Sequence, residues 1–183
     1  MKNSLKLAIE LIKSNKPIII PTDTVYGLVC RYDSKSAVEK IYKLKKRDRK
    51  KPLILLGYNW QALRKFVVGN DYNHSLQMWI RQWPGPLTLV LSASKKTPEY
   101  LNEGFKTIGI RVPNNKFLLT LLKHCPKKVL ASTSANISGK SDKKLPRELI
   151  KKVKLFVKAR KGEMSLKPSR VIEIKNNSTK ILR

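Results

Sequence analysis

Four short stretches of the 183-residue sequence gather hydroxyls, amides and cations in patterns that can bind anions. Pro21–Leu28 reads Pro-Thr-Asp-Thr-Val-Tyr-Gly-Leu. Its hydroxyls and carboxylate can hold a polar ligand, and Gly27 permits close backbone approach. The same residues also suit a capped turn, with Thr22 or Asp23 satisfying a helix N-terminus. Lys45-Lys46-Arg47-Asp48-Arg49-Lys50-Lys51 precedes Pro52. Arg offers a planar bidentate fork and Lys a point charge, which together can neutralise a triphosphate. A solvated, exposed helix end carrying cations reads the same way. Gly109-Ile110-Arg111-Val112-Pro113 sets one arginine among apolar strand residues. Arg111 either snorkels to solvent or binds a carboxylate. Ser132–Gly139, Ser-Thr-Ser-Ala-Asn-Ile-Ser-Gly, can turn hydroxyls and backbone N–H groups toward an anion, or form an Asx or Ser/Thr turn.

Elements of regular spacing must position these loops. Leu5, Ala8, Ile9 and Ile12 repeat at helical period, with Asn3 or Ser4 as N-cap. Ile18–Ile20 is a β-branched strand. Asp33 or Ser34 caps a second helix that turns Val38, Ile41 and Leu44 inward. Leu53–Leu56 is a buried strand, and helical patterns follow over Asn59–Phe66 and Asn73–Gln82. Trp83-Pro84-Gly85-Pro86 is a rigid turn. Leu87–Leu91, Thr107–Val112 and Val129–Ser132 are strands, with a helix from Asn114 or Asn115 to Lys123. Pro146–Lys152 is a short helix, and Leu155–Lys158, Arg170–Ile174 and Thr179–Leu182 are closing strands. The mixture, without strict alternation, predicts an α/β (α+β) fold. It is a twisted, open mixed sheet flanked by helices.

Composition narrows the function classes. The apolar fraction of 41% suits a globular chain. No apolar run approaches the roughly 20 residues of a membrane span, and the N-terminus lacks a signal-peptide pattern. A cytoplasmic protein without membrane attachment is expected. Cys30 and Cys125 are read as buried thiols, because with His74 and His124 their spacing matches no zinc pattern. No metal site is expected. The formal charge of +28 fits a polyanion partner, or lysines decorating every solvated face. The lysines are spread along the chain, so charge names no partner. Phosphate-loop, dinucleotide-binding, nucleophile-elbow and zinc-protease motifs are absent. Any chemistry rests on positioning and charge neutralisation rather than on a histidine base.

Taken together, the segments resemble the YrdC-like family of threonylcarbamoyl-AMP synthases. The matching stretches are Pro21–Leu28, Leu44–Arg47 with Lys51-Pro52-Leu53, Trp83–Leu91, Ile108–Pro113, Ser132–Gly139 and Pro168–Ile174. They stand in family order along nearly the whole chain. The resemblance implies one YrdC-like domain over 1–183, in the minimal form without the extra C-terminal domain of longer relatives, with a basic concave surface. It implies that L-threonine, bicarbonate or CO2, and ATP give threonylcarbamoyl-adenylate and pyrophosphate. That product serves threonylcarbamoyladenosine formation in tRNAs reading codons that begin with adenine, through a separate transferase complex.

The resemblance also implies residue roles. Lys45, Arg47, Ser134 and Asn136 are the catalytic, phosphate-handling set. Arg47, Lys51, Thr107, Ser134, Asn136 and Arg183 bind ATP. Thr24, Arg111, Ser132 and Ser169 hold threonine. Mg²⁺ enters through the ATP phosphates. Lys51 stands where longer relatives have asparagine. Asp142 stands where some have serine, and that contact is not carried over. An alternative for so basic a chain is a double-stranded RNA or tRNA-binding module without turnover. A carbamoyl-transfer domain of the hydrogenase-maturation kind normally comes with cysteine-rich zinc fingers, which this sequence lacks.

Overall fold

Hydrophobic alternation along the strands decides the architecture, because each strand must divide its apolar residues between two faces. The computed structural model describes residues 2–68, 74–136, 145–175 and 178–183. The helices are α1 (Lys2–Lys13), α2 (Lys35–Lys45), α3 (Trp60–Leu63), α4 (His74–Ile80), α5 (Glu99–Asn102), α6 (Lys116–His124) and α7 (Arg147–Lys152). The strands are β1 (Ile18–Ile20), β2 (Gly27–Arg31), β3 (Ile54–Gly57), β4 (Leu87–Ser92), β5 (Thr107–Arg111), β6 (Val129–Ser134), β7 (Arg170–Lys175) and β8 (Ser178–Ile181). They form one sheet in the order β1-β2-β6-β3-β5-β4-β7-β8. Pairings β3–β5 and β4–β7 are parallel and the rest antiparallel, so the sheet is mixed and open.

One face is mainly apolar, with Thr133 at its β6 end. Leu28, Cys30, Leu55, Leu89, Ile110 and Ala131 pack with Ala37, Val38 and Ile41 of α2 and with Leu63, Phe66 and Leu76. Each fully buried Leu, Ile, Val or Phe among them is stabilised by about 1.5–3 kcal/mol relative to exposure. The opposite face is covered at one end only. There Ile18, Ile20, Val29, Leu56 and Leu130 meet Ala8, Leu11 and Ile12 of α1 and Leu118, Leu121 and Leu122 of α6. Beyond those helices the face is open, and the register lines up Ser132, Ile54, Gly109 and Val90 across four adjacent strands. This uncovered stretch is the floor of the cavity described below.

Local chemistry sets the element ends. Ser34 caps α2 by accepting from Ala37 N, and Asn115 caps α6 by accepting from Leu118 N. Lys46 adopts a left-handed conformation (φ 47°), which ends α2 and turns the basic stretch away from the helix axis. Cys30 and Cys125 are free and buried. Burial raises both thiols, that of Cys125 to about 12.

Several expectations need correction. The helix α1 already runs at Lys2, so Asn3 and Ser4 lie inside it rather than at its cap. Gly27-Leu28-Val29-Cys30-Arg31 is a strand that the pattern did not announce, and α5 is a further unannounced helix. The strand expected to stop at Ser132 continues to Ser134, because Ser134 pairs with Gly27. Leu155–Lys158 is not a named strand. Phe156 makes one parallel bridge to Ile19, with Ile19 N donating to Leu155 O and Val157 N to Ile19 O. Pro146 is the N-cap of α7 rather than its first residue. Asn73, Ile137–Gly139 and Asp142 lie outside the described residues.

Candidate active site

The open half of the sheet face forms a cavity of about 520 Å³. Alternation along the strands supplies its floor and walls: Thr88 and Val90 from β4, Thr107, Gly109 and Arg111 from β5, Ser132 and Ser134 from β6, and Val171 from β7. Thr22, Thr24, Tyr26, Arg47, Asn136, Ser169 and Arg183 are also among the lining residues. A methyl group on Gly109 would stand 2.7 Å from Ile54 Cγ2, so only glycine keeps that part of the floor flat.

Arg111 is 4% exposed, which settles the choice between snorkelling and anion binding against the former. Its Nε donates to Gly85 O (3.0 Å), Nη1 to Thr24 Oγ1 (2.9 Å) and Nη2 to Asp23 Oδ1 (2.6 Å). Burial pushes the guanidinium below its ordinary range and the Asp23 carboxylate opposes that shift, so Arg111 stays a cation. Thr24 is fixed in turn. Its hydroxyl meets Thr22 Oγ1 at 2.9 Å, and its backbone N donates to the same oxygen at 3.0 Å. Ser169 Oγ and Thr88 Oγ1 are both buried and 2.9 Å apart. Thr24, Arg111 and Ser169 therefore share one end of the cavity with Thr22 and Thr88, and Ser132 stands on the floor beside it, level with Gly109.

Lys45 does not stand at an exposed helix end. It is 9% exposed, with Nζ donating to Ser134 O and lying 3.4 Å from Thr133 Oγ1. Burial lowers its ammonium to about 8, with a smaller push from Arg47. The amine reaches the back of the β6 end and is not among the cavity-lining side chains. Arg47 does line the cavity. Its Nε donates to Lys51 O (2.8 Å) and its Nη2 to Pro52 O (3.1 Å), and burial lowers its guanidinium. Lys51 contributes that carbonyl, while its side chain is exposed and outside the cavity lining. Ser134 Oγ donates to Asn136 Oδ1 (2.5 Å), which ties the two polar residues of the Ser-x-Asn stretch together.

Arg183 is anchored rather than loose. Val171 N donates to its carbonyl at 2.8 Å, and its Nε donates to Ser169 O at 3.2 Å. Thr107 lines the opposite margin. Sequence reasoning missed Thr88 and the Asp23–Arg111 pair. A threonine inside the apolar run Leu87–Leu91 was the available signal for Thr88, since at period two it faces a different side from Leu87, Leu89 and Leu91. Both histidines sit in helices, away from the cavity lining. His124 Nδ1 meets Thr120 O of its own helix at 2.9 Å. Among the described residues no group of three or more His, Cys, Asp or Glu side chains could hold a metal ion.

The site thus combines a guanidinium in a hydroxyl-rich corner with a second guanidinium, hydroxyls and an amide at its other margin. Such a cavity can hold one carboxylate and one phosphate chain side by side. The Sua5_yciO_yrdC family model, described as "Telomere recombination", matches residues 10–183. The threonylcarbamoyl-AMP synthase of Blochmanniella floridana is 39% identical over 132 residues, covering 71% of this chain and 69% of that protein. The enzyme of the same name from Enterobacter sp. (strain 638) is 33% identical over 137 residues, covering 74% and 72%. The crystal structure of P. abyssi Sua5 complexed with L-threonine superposes with a TM-score of 0.84 at 28% identity. That match covers 98% of this chain and 53% of the Sua5 chain, so this chain spans about half of Sua5.

Proposed function

This chain belongs to the Sua5/YciO/YrdC family, and on that premise we propose that it is a threonylcarbamoyl-AMP synthase. It is an enzyme of the nucleotidyltransferase type acting in tRNA modification. It converts L-threonine, bicarbonate or CO2, and ATP to threonylcarbamoyl-adenylate and pyrophosphate. The observation that carries the reading is that Thr24, Arg111, Ser132 and Ser169 line the same cavity as Arg47, Ser134 and Asn136. The first set holds threonine, with Arg111 facing its carboxylate. The second holds the phosphates of ATP. Thr107 and Arg183 flank the nucleotide, and Lys51 serves through the carbonyl that holds Arg47 rather than through its ammonium. Lys45 acts from behind, as a cation that fixes the Ser134 backbone.

Threonine's amine captures CO2 to form a carbamate. A carbamate oxygen then attacks the α-phosphorus, and pyrophosphate leaves. Alignment and charge stabilisation dominate such a step. The cations around the cavity supply both, and no protein base is required beyond the amine's loss of a proton to solvent. Mg²⁺ enters with ATP, bound through its phosphates. The product passes to a separate transferase complex on tRNA. No helix among the described residues is long and apolar enough to cross a membrane. Direct tRNA binding by the basic surface is compatible with turnover, but the polar cavity gives the enzyme reading its preference over a pure RNA binder.

Pyrophosphate release from purified protein with ATP, Mg²⁺ and bicarbonate tests the reading. Release that requires L-threonine, with L-serine much poorer, is expected. A folded protein that releases none with threonine would overturn it.

A further inference from the structure

The Arg111 guanidinium has five N–H groups, and three of them are spent inside the protein. Gly85 O, Thr24 Oγ1 and Asp23 Oδ1 take one donor from each of its three nitrogens. One N–H therefore remains on each terminal nitrogen, available to a further acceptor such as a carboxylate. Gly85 and Thr24 offer neutral acceptors, whereas Asp23 alone offers charge. The pair is nearly dry, with side chains 5% and 13% exposed.

Asp23 is itself held. Its carbonyl accepts from Ser165 N at 3.1 Å, and the next carbonyl, of Thr24, accepts from Leu166 N at 2.9 Å. Among the described residues its second oxygen, Oδ2, is buried without a hydrogen-bond partner. An unsatisfied buried carboxylate oxygen is costly. The carboxylate thus keeps one buried oxygen unpaired and has its engaged oxygen on Arg111.

Resting on the assignment of Arg111 to the threonine carboxylate, we propose that Asp23 is a positioning residue for threonine binding. It acts through Arg111, holding the fork in the plane that the substrate carboxylate must meet. It does not line the cavity and is no part of the chemical step.

Two physical effects of removing its charge have opposite signs. Losing the carboxylate leaves Arg111 less neutralised, which by charge alone would tighten carboxylate binding. It also weakens the hold on Nη2 and lets the fork turn, which weakens a bidentate contact that depends on alignment. The positioning role predicts that the second effect wins.

Calorimetric titration of L-threonine and, separately, of ATP into wild type, Asp23→Asn and Asp23→Glu tests this. Asp23→Asn keeps the shape and loses the charge, and Asp23→Glu keeps the charge but displaces it by one methylene. Both are expected to weaken threonine binding about tenfold or more and to leave ATP affinity within about twofold. On an Arg111→Lys background, Asp23→Asn is expected to add no further loss, because the residue it acts through is gone. Wild type that binds threonine while both variants bind it equally or more tightly would overturn the inference and leave the enzyme reading standing. So would equal losses for threonine and ATP, which a merely structural role produces. Wild type that binds no threonine would overturn the enzyme reading, and this inference with it. Should Asp23→Asn fail to fold, Asp23→Glu alone decides, since a role in charge alone predicts wild-type affinity for it.

Discussion

Lys45 and Ser134 lie 89 residues apart in sequence, yet the Lys45 ammonium donates to the Ser134 carbonyl. One is the last residue of α2 and the other the last of β6. A buried cation thus supports the strand end that carries the Ser-x-Asn stretch, and this geometry gives the first prediction a pH signature.

Lys45 titrates at about 8 instead of its ordinary 10.5. Below about 8 it is charged in folded and unfolded chains alike, and the cost of burying the charge is present in full. Between about 8 and 10.5 the folded chain has released a proton that the unfolded chain still holds, so this group makes stability rise with pH. Lys45→Met should remove that rise. Urea midpoints of wild type and variant at about pH 7 and about pH 9.5 check it. Activity moves oppositely: kcat/KM for ATP should fall above about 8 as the ammonium is lost. A profile flat to pH 10 would remove Lys45's charge from the mechanism.

Arg47 and Lys51 separate cleanly. Arg47 uses two nitrogens to grip two carbonyls, so Arg47→Lys keeps charge but loses the fork. It should lower kcat/KM for ATP by about tenfold or more, and Arg47→Ala further, with circular dichroism unchanged. Lys51→Ala removes only an exposed ammonium and should stay within about twofold of wild type. Equal losses in Arg47→Lys and Lys51→Ala would show that charge near the loop, not the fork, is what matters.

Arg111→Ala should act on stability and binding together. It strands the buried Asp23 carboxylate, at a cost of about 3–5 kcal/mol. It also removes the partner of the threonine carboxylate, raising the threonine KM by about a hundredfold. Thermal melts and threonine saturation curves read the two effects separately. An unchanged threonine KM would remove Arg111 from the threonine subsite.

Gly109→Ala and Gly57→Ala both create close contacts, the first with Ile54 Cγ2 at 2.7 Å and the second with Leu63 Cγ. Each should destabilise by about 1–3 kcal/mol. Only Gly109 lines the cavity, so only its variant should also weaken ATP or threonine binding. Binding titrations on both, at a temperature where both are folded, distinguish floor from frame.

The sequence disclosed the elements with strong local signals. Ile18–Ile20 is β-branched throughout, and Ser34 and Asn115 cap as their side chains allow. It concealed β2, because a five-residue strand containing glycine, cysteine and arginine has neither alternation nor length to stand out. Leu155–Lys158 carried strand propensity, but a single bridge to an edge strand satisfies it. The polar loops were legible one by one through their unusual clustering of hydroxyls and cations. Their convergence was not, because the pairing of Asp23 with Arg111 spans 88 residues and depends on strand order. The burial of Lys45 was equally invisible, since nothing within a run of cations distinguishes the one that faces inward.

The two buried thiols have a practical consequence. Neither is a nucleophile at neutral pH while the fold is closed, because the thiolate is what reacts and burial suppresses it. A cysteine introduced on an exposed loop would take a fluorophore selectively, with the native pair left in place. Conversely, the rate at which Cys30 and Cys125 yield to an alkylating reagent becomes a clock. Cys30 times the opening of the sheet and Cys125 the lifting of α6, so the order in which the molecule comes apart can be followed from the masses of the peptides that carry each thiol.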